Sequence, residues 1–480
     1  MLRGEECTKM RLRRGERGVA PGVVLLLGIG LASVGHAQEI ALPDAVRQTL
    51  SANLDLAAQR RQLAAAREEI GLARSALLPQ VGIGGGAQIL DIDRSDSAQG
   101  NIEARTLLVE AGLSQVLYDE ESWAGFSIQK HVYRGQVQQF EAFRLGVIQD
   151  AALAFLELDR LEQVLQIQER NRELTRDNLE TSRSRIAAGW SSEREILRWQ
   201  TQLASNDTDV RAAQVGVLQS RFALNRIRNL ASEAPAPTRP ATVEEYGFVY
   251  SSDAVAEAIL TPEQDRRTRD FLVRFGLQRS PDLATLDASI DATERQLTAR
   301  RRAFWVPSLS VNAGIDYFTN RGSSDYNQTE WIVQGLLTFP VVQGGAKIAG
   351  YRQARSALAG FRTQRRATAI TLEQSIRSAL AQASGSFETV GFAERGLAAA
   401  RRNFELVDAA YTLGVASILD LLDAQSELLS AELGLVNATY GFLEDLLAAE
   451  RQISFYAFLE APAEVDALVG QLERDLGIRP

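Results

Sequence analysis

The stretch "YTLGVASILDLLDAQSELLSAE" (residues 411–432) has a near twin, "RIAAGWSSEREILRWQTQLAS" (185–205), 225 residues upstream. Aligned without a gap, Gly189 falls on Gly414, Ser192 on Ser417 and Glu195 on Asp420. Glycine suits the left-handed residue that ends a helix. A serine three positions later caps the next helix, and an acid three positions beyond reaches back to the cap's own amide. The spacing Gly-x-x-Ser-x-x-acid therefore predicts a tight helix–turn–helix tip. The chain writes it twice.

Working outward, both tips sit in long helical runs. No proline occurs between Pro79 and Pro235, or between Pro340 and Pro462. These stretches are rich in Ala, Leu, Gln, Glu and Arg, with apolar residues three or four apart, as at Phe155, Leu158, Leu161 and Leu165. That pattern predicts very long helices. The segment from about 122 to 187 spans roughly 100 Å at 1.5 Å per residue.

Four short stretches change period from about three and a half to two: 80–90, 106–118, 308–318 and 330–340. In "SLSVNAGIDY" (308–317), Leu309, Val311, Ala313, Ile315 and Tyr317 alternate with polar or glycine residues. This is the pattern of a half-buried strand, and ten such residues also suffice to cross a bilayer at a tilt. "ARSALLPQV" (73–81) is echoed by "RRRAFWVPSL" (300–309), so Pro79 and Pro307 each mark a helix-to-strand junction. The expected organisation is a first repeat over 38–232 with a helical hairpin at about 122–231. A proline-rich connector follows over 233–268. The second repeat covers 269–460, with its hairpin at about 346–456, and 461–480 is a tail.

The first 37 residues read as an export signal. A cluster of arginines precedes the apolar run "VAPGVVLLLGIGLASV" (19–34), and "GHA" places small residues at a cleavage position. The arginine cluster survives whether Met1 or Met10 is the start. The leader holds six Lys/Arg and three Asp/Glu, so the formal charge of −9 becomes −12 after Ala37, a poor balance for binding nucleic acid. Cys7, the sole cysteine, and His36 leave with it, and His131 is then the only histidine. Cys/His zinc centres, cysteine nucleophiles and paired-histidine metal sites are excluded within one chain. No metal, cofactor or enzymatic role is expected. The glycine clusters 82–86 and 343–347 lack the strand-to-helix spacing of nucleotide loops.

Four strands cannot close a barrel, and open edges are not tolerated in lipid. Strands in a membrane would have to be pooled between chains, two giving eight and three giving twelve. At this point the chain resembles the TolC-type outer-membrane efflux family. The resemblance is carried by "ALPDAVRQTLSANLDLAAQRRQLAAAREEIGLARSALLPQV" (41–81), its echo ending at Pro307, and the stretch 411–432. It implies a mainly α fold with internal duplication, a homotrimer with a shared twelve-stranded barrel in outer-membrane lipid, and an α-helical barrel in the periplasm. It further implies an exit duct for efflux or type I secretion, working with a periplasmic adaptor and an inner-membrane pump of RND or ABC type. The competing reading is a periplasmic coiled-coil adaptor or scaffold with no membrane barrel.

The resemblance also implies a narrow entrance at the tips, ringed by acids and held by a tyrosine. By motif position these are Asp420, Asp423, Glu195 and Tyr411. Asp420 and Asp423 share a helix face, and threefold symmetry would gather six carboxylates on one axis. Asp420 and Glu195 have a competing role as cap partners, which Asp423 lacks. Ala416 stands where some relatives place a base, so the tyrosine lock is expected to be looser. The tip turns, Gly189, Trp190 and Ser192 with Gly414, Val415, Ala416 and Ser417, are candidates for adaptor contact.

Overall fold

The computed structural model describes residues 39–89, 105–187, 193–251, 261–319 and 328–477. The expected leader, and the turn residues Gly189, Trp190 and Ser192, lie outside them.

The duplication is visible element by element. Helix α1 (Leu42–Ala52) opens with proline in its first turn. Asn53 then caps α2 (Leu54–Ser75), accepting from the Leu56 amide at 2.8 Å. The second repeat uses the same device at α5 (Pro262–Arg279) and α6 (Pro281–Arg302), where Ser280 accepts from the Leu283 amide at 3.3 Å. In both places a short polar side chain satisfies amides that the helix start leaves open. Pro79 precedes strand β1 (Gln80–Ile89) and Pro307 precedes strand β3 (Ser308–Thr319). Strands β2 (Arg105–Tyr118) and β4 (Gln328–Thr338) follow.

Each strand pair feeds a helical hairpin. In the first repeat, α3 (Glu120–Ala187) has 68 residues and α4 (Glu193–Ile227) has 35. In the second, α7 (Ala346–Thr412) has 67 and α8 (Ile418–Gln452) has 35. The long helices extend about 100 Å each. No tertiary unit of ordinary size buries helices of that length on all sides.

The described strands form one antiparallel sheet in the order β1-β2-β3-β4, so β2 and β3 join the two repeats. Its register separates two chemistries. One cross-strand row reads Ile83, Ala111, Ile315, Trp331, and the next reads Gly84, Glu110, Asp316, Glu330. The apolar row is left open to the surroundings, with Ile83 81% and Trp331 76% exposed. Three carboxylates directly opposite one another are unfavourable in a dry setting and tolerable only where water reaches them. Gly84 leaves room for its neighbour in this row, since a Cβ there would lie 2.6 Å from a carboxylate oxygen of Glu110 and the glutamate would have to shift. Edges β1 and β4 have no further strand beside them among the described residues.

The main apolar core forms midway along α3, where the end of α8 remote from the tip packs on it. Phe155, Leu156 and Leu158 of α3 meet Phe442, Leu443 and Leu446 of α8, with Leu42 and Val46 of α1 against them. The connector docks here through one buried acid. Asp159 accepts from Tyr440 Oη (2.6 Å), the Ala241 amide (2.7 Å) and Thr238 Oγ1 (2.9 Å). Burial raises the Asp159 pKa, and these donors partly offset the rise. The segment read from sequence as a tail contains helix α9 (Pro462–Leu476), which sends Leu468, Leu472 and Leu476 into the same core.

Candidate functional site

The second tip is described in full. The last turn of α7 closes on Leu413, and Gly414 adopts φ +77°. The Gly414 amide donates to Tyr411 O at 3.0 Å and the Val415 amide donates to Ala410 O at 2.8 Å. Those are the paired bonds of a Schellman stop, which requires a left-handed residue where glycine is least costly. Ser417 then caps α8. Its Oγ accepts from the Asp420 amide at 3.3 Å, and Asp420 Oδ2 accepts from the Ser417 amide at 2.9 Å and hydroxyl at 2.8 Å. The hydrogen bonds from the Ser417 amide and hydroxyl hold the Asp420 carboxyl below the usual range. Asp420 is therefore occupied as a cap partner. Asp423, one turn further, is exposed.

Tyr411 is almost wholly enclosed, at 2% exposure. It packs with Leu179 of α3, Trp199 of α4, and Ile418 and Leu421 of α8, a small apolar core of its own. Its hydroxyl lies 3.1 Å from Ser182 Oγ and donates to Glu195 Oε2 at 3.2 Å. The base missing at position 416 is present from another helix. Arg185 Nη1 donates to Tyr411 O at 2.8 Å, and its guanidinium lies 4.5 Å over the tyrosine ring. Tyr411, Glu195 and Arg185 thus form a tyrosine–acid–base cluster joining the two hairpins within one chain. Sequence reasoning assigned Tyr411 and Glu195 but missed Arg185, which nothing local distinguishes from its arginine neighbours.

The other tip residues separate. Val415 is 82% exposed, whereas Ala416 packs half-buried on the tip core. Leu413, 79% exposed, and Leu419 join Val415 as outward apolar residues and were not singled out from the sequence. The signal for them was available, since both lie within five residues of Gly414 in a region with little core to cover them.

Comparison with known proteins agrees with this architecture. The family model described as "Outer membrane efflux protein" matches residues 45–229 and 273–451, one segment in each repeat. The chain is 26% identical over 412 residues to the outer membrane protein TolC of Vibrio cholerae serotype O1, covering 83% of this chain and 86% of that protein. Against the TolC of Escherichia coli K12 it is 24% identical over 437 residues, covering 87% and 83%. Among solved structures, the Campylobacter jejuni CmeC outer membrane channel superposes with a TM-score of 0.69 at 17% identity, covering 91% of this chain and 90% of that one.

Proposed function

Starting from a chain that belongs to the outer membrane efflux protein family, we propose that three copies pool their sheets into one twelve-stranded barrel. The protein is an outer-membrane exit duct of an efflux system, with its helical hairpins in the periplasm. The observation that carries the assembly is the four-stranded sheet with an exposed apolar face and two edges unpaired among the described residues. In lipid every strand edge must be paired, and closure between copies is what achieves it. The apolar rows then face lipid, and the Glu110–Asp316–Glu330 row faces a watery lumen.

In this reading the hairpin tips form the entrance, and the Tyr411–Glu195–Arg185 cluster holds each second hairpin against the first. Asp423 faces the axis as a carboxylate ring, and Leu413, Val415 and Leu419 present the apolar contact to a periplasmic adaptor. The energy comes from an inner-membrane pump, and the duct itself is passive and catalyses no reaction. A periplasmic scaffold is disfavoured, because it would leave the apolar row of the sheet in water.

The test is extraction and assembly of the exported protein. The expected result is an oligomer that pellets with outer membranes, requires detergent, and migrates as a heat-modifiable band three times the monomer mass. A well-behaved monomer in detergent-free buffer overturns the reading.

A further inference from the structure

Between the main core and the small tip core, the hairpins meet through polar side chains. Asn171, Thr175, Asn178 and Ser182 lie on α3 at intervals of four, three and four, the spacing of an inward-facing seam. All four are buried. Opposite them α8 places Gln425, and α4 places Asn206, both also buried.

The bonding at the centre is complete. Gln425 Nε2 donates to Asn171 Oδ1 and to Thr175 Oγ1, each at 2.8 Å. Asn206 Nδ2 donates to Thr175 Oγ1 at 2.7 Å, and the Thr175 hydroxyl donates to Asn171 O at 2.9 Å. One hydroxyl thus uses both lone pairs and its single proton. Asn178 Nδ2 adds a 3.4 Å bond to Gln425 Oε1. At the fringe, Gln168 Oε1, Arg172 Nε, Arg185 Nε and the Trp199 indole nitrogen are buried with no hydrogen-bond partner among the described residues.

Such a contact fixes one register yet resists separation weakly. Water can replace each of these hydrogen bonds, whereas exposing an equal apolar contact loses its whole hydrophobic contribution. The fringe atoms gain partners as soon as water enters. We propose that the Asn171–Thr175–Gln425–Asn206 network is a parting plane that positions the entrance: the α8 tip separates from α3 and α4 along it while the apolar core above stays packed. Its residues act through polarity, several turns from the tip. The inference rests on the entrance reading of the tips.

The experiment is single-channel recording of the full-length trimer in planar bilayers. Filling the seam with apolar side chains, Asn171→Leu with Gln425→Leu, is expected to lower open events about tenfold, since replacing both partners of a buried hydrogen bond by apolar groups ranges from neutral to stabilising. Thr175→Val with Asn206→Leu, which removes acceptor and donor together, is expected to move the same way by less, and serves if the first double variant does not assemble. Gln425→Ala, which leaves Asn171 Oδ1 without its donor and Thr175 Oγ1 with Asn206 alone, is expected to raise open events about tenfold. A merely structural seam would make every substitution leakier. Apolar variants that open as often as the parent, or more often, overturn the proposal. Tyr411→Phe separates the two readings. If it opens the channel while the apolar seam is without effect, the seam falls and the entrance stands. If both are silent, the entrance reading itself falls.

Discussion

The same four helices pack in two different ways along their length. Midway along α3, α3 and α8 meet through Phe155, Leu156, Leu158, Phe442, Leu443 and Leu446, reinforced by α1, α9 and the connector. Toward the tips they meet through Asn171, Thr175, Asn178 and Gln425, and then through a small cluster around Trp199, Tyr411 and Leu421. A helix of this length cannot be uniformly stable, because stability follows the apolar area buried at each level. The difference teaches that rigidity and separability have been assigned to opposite ends of one hairpin pair.

The largest effect that would sharpen this contrast lies at the rigid end. Phe155→Ala, at a fully buried position, is expected to lose about 3–5 kcal/mol and to destabilise the whole chain in a denaturant titration. Loss confined to the tip would break the comparison.

The rigid end contains its own exception. Glu450 is fully buried, accepts from the Ala457 amide at 3.1 Å, and burial pushes its pKa up to about 8. A carboxyl whose folded pKa lies above its unfolded value favours the fold while protonated. Its contribution is greatest below the unfolded value of 4.5 and is lost progressively as pH rises to about 8. Glu450→Gln is expected to remove one proton's share of the slope across that window, about 1.4 kcal/mol per pH unit. Unfolding midpoints measured from pH 5 to 9 check this, and identical slopes in parent and variant would contradict it.

At the separable end the effects shrink and become local. Gly414→Ala forces a Cβ into the left-handed region and is expected to cost about 1–2 kcal/mol. Ser417→Ala removes the cap of α8 and is expected to cost about 1 kcal/mol. For both, amide exchange should quicken around 411–425 and stay unchanged around Phe442. Because the cap holds the Asp420 carboxyl below its ordinary pKa, its contribution is complete above the unfolded value and fades as pH falls through the folded one. Exchange in the first turn of α8 at pH 3 against pH 7 reads that sign. Asp423→Asn, on an exposed helix face, is expected to leave stability within about 0.5 kcal/mol. It should nevertheless reduce cation preference in bilayer recordings, and unchanged selectivity would remove Asp423 from the entrance ring.

Much of this was legible beforehand where the cause is local. The Schellman stop at Gly414 and the capping box of Ser417 and Asp420 depend on residues within a turn of each other, so their spacing announced them. The strands were legible because alternation is a property of consecutive residues, and the register of Ile83, Ala111, Ile315 and Trp331 then gathered the alternating faces into one apolar row. The base beside Tyr411 was not legible. The adjoining turn carries Ala416, whereas Arg185 arrives from 226 positions away. Asn171, Thr175 and Asn178 were equally hidden, because polar residues on a long helix ordinarily mark its wet face. Only their burial against Gln425 reverses that reading.

By itself, then, the amino-acid order determined the duplication, the helix lengths, the strand faces and the turn at Gly414. All of these follow from period and from hydrogen bonds spanning a few residues. Tertiary structure alone decided that β2 pairs with β3, that Arg185 lies over Tyr411, and that a polar layer separates two apolar cores. Those contacts join residues up to 254 positions apart. Nothing in a residue's own neighbourhood states whether its polar group will face water or a partner, and only the packing of distant helices settles which.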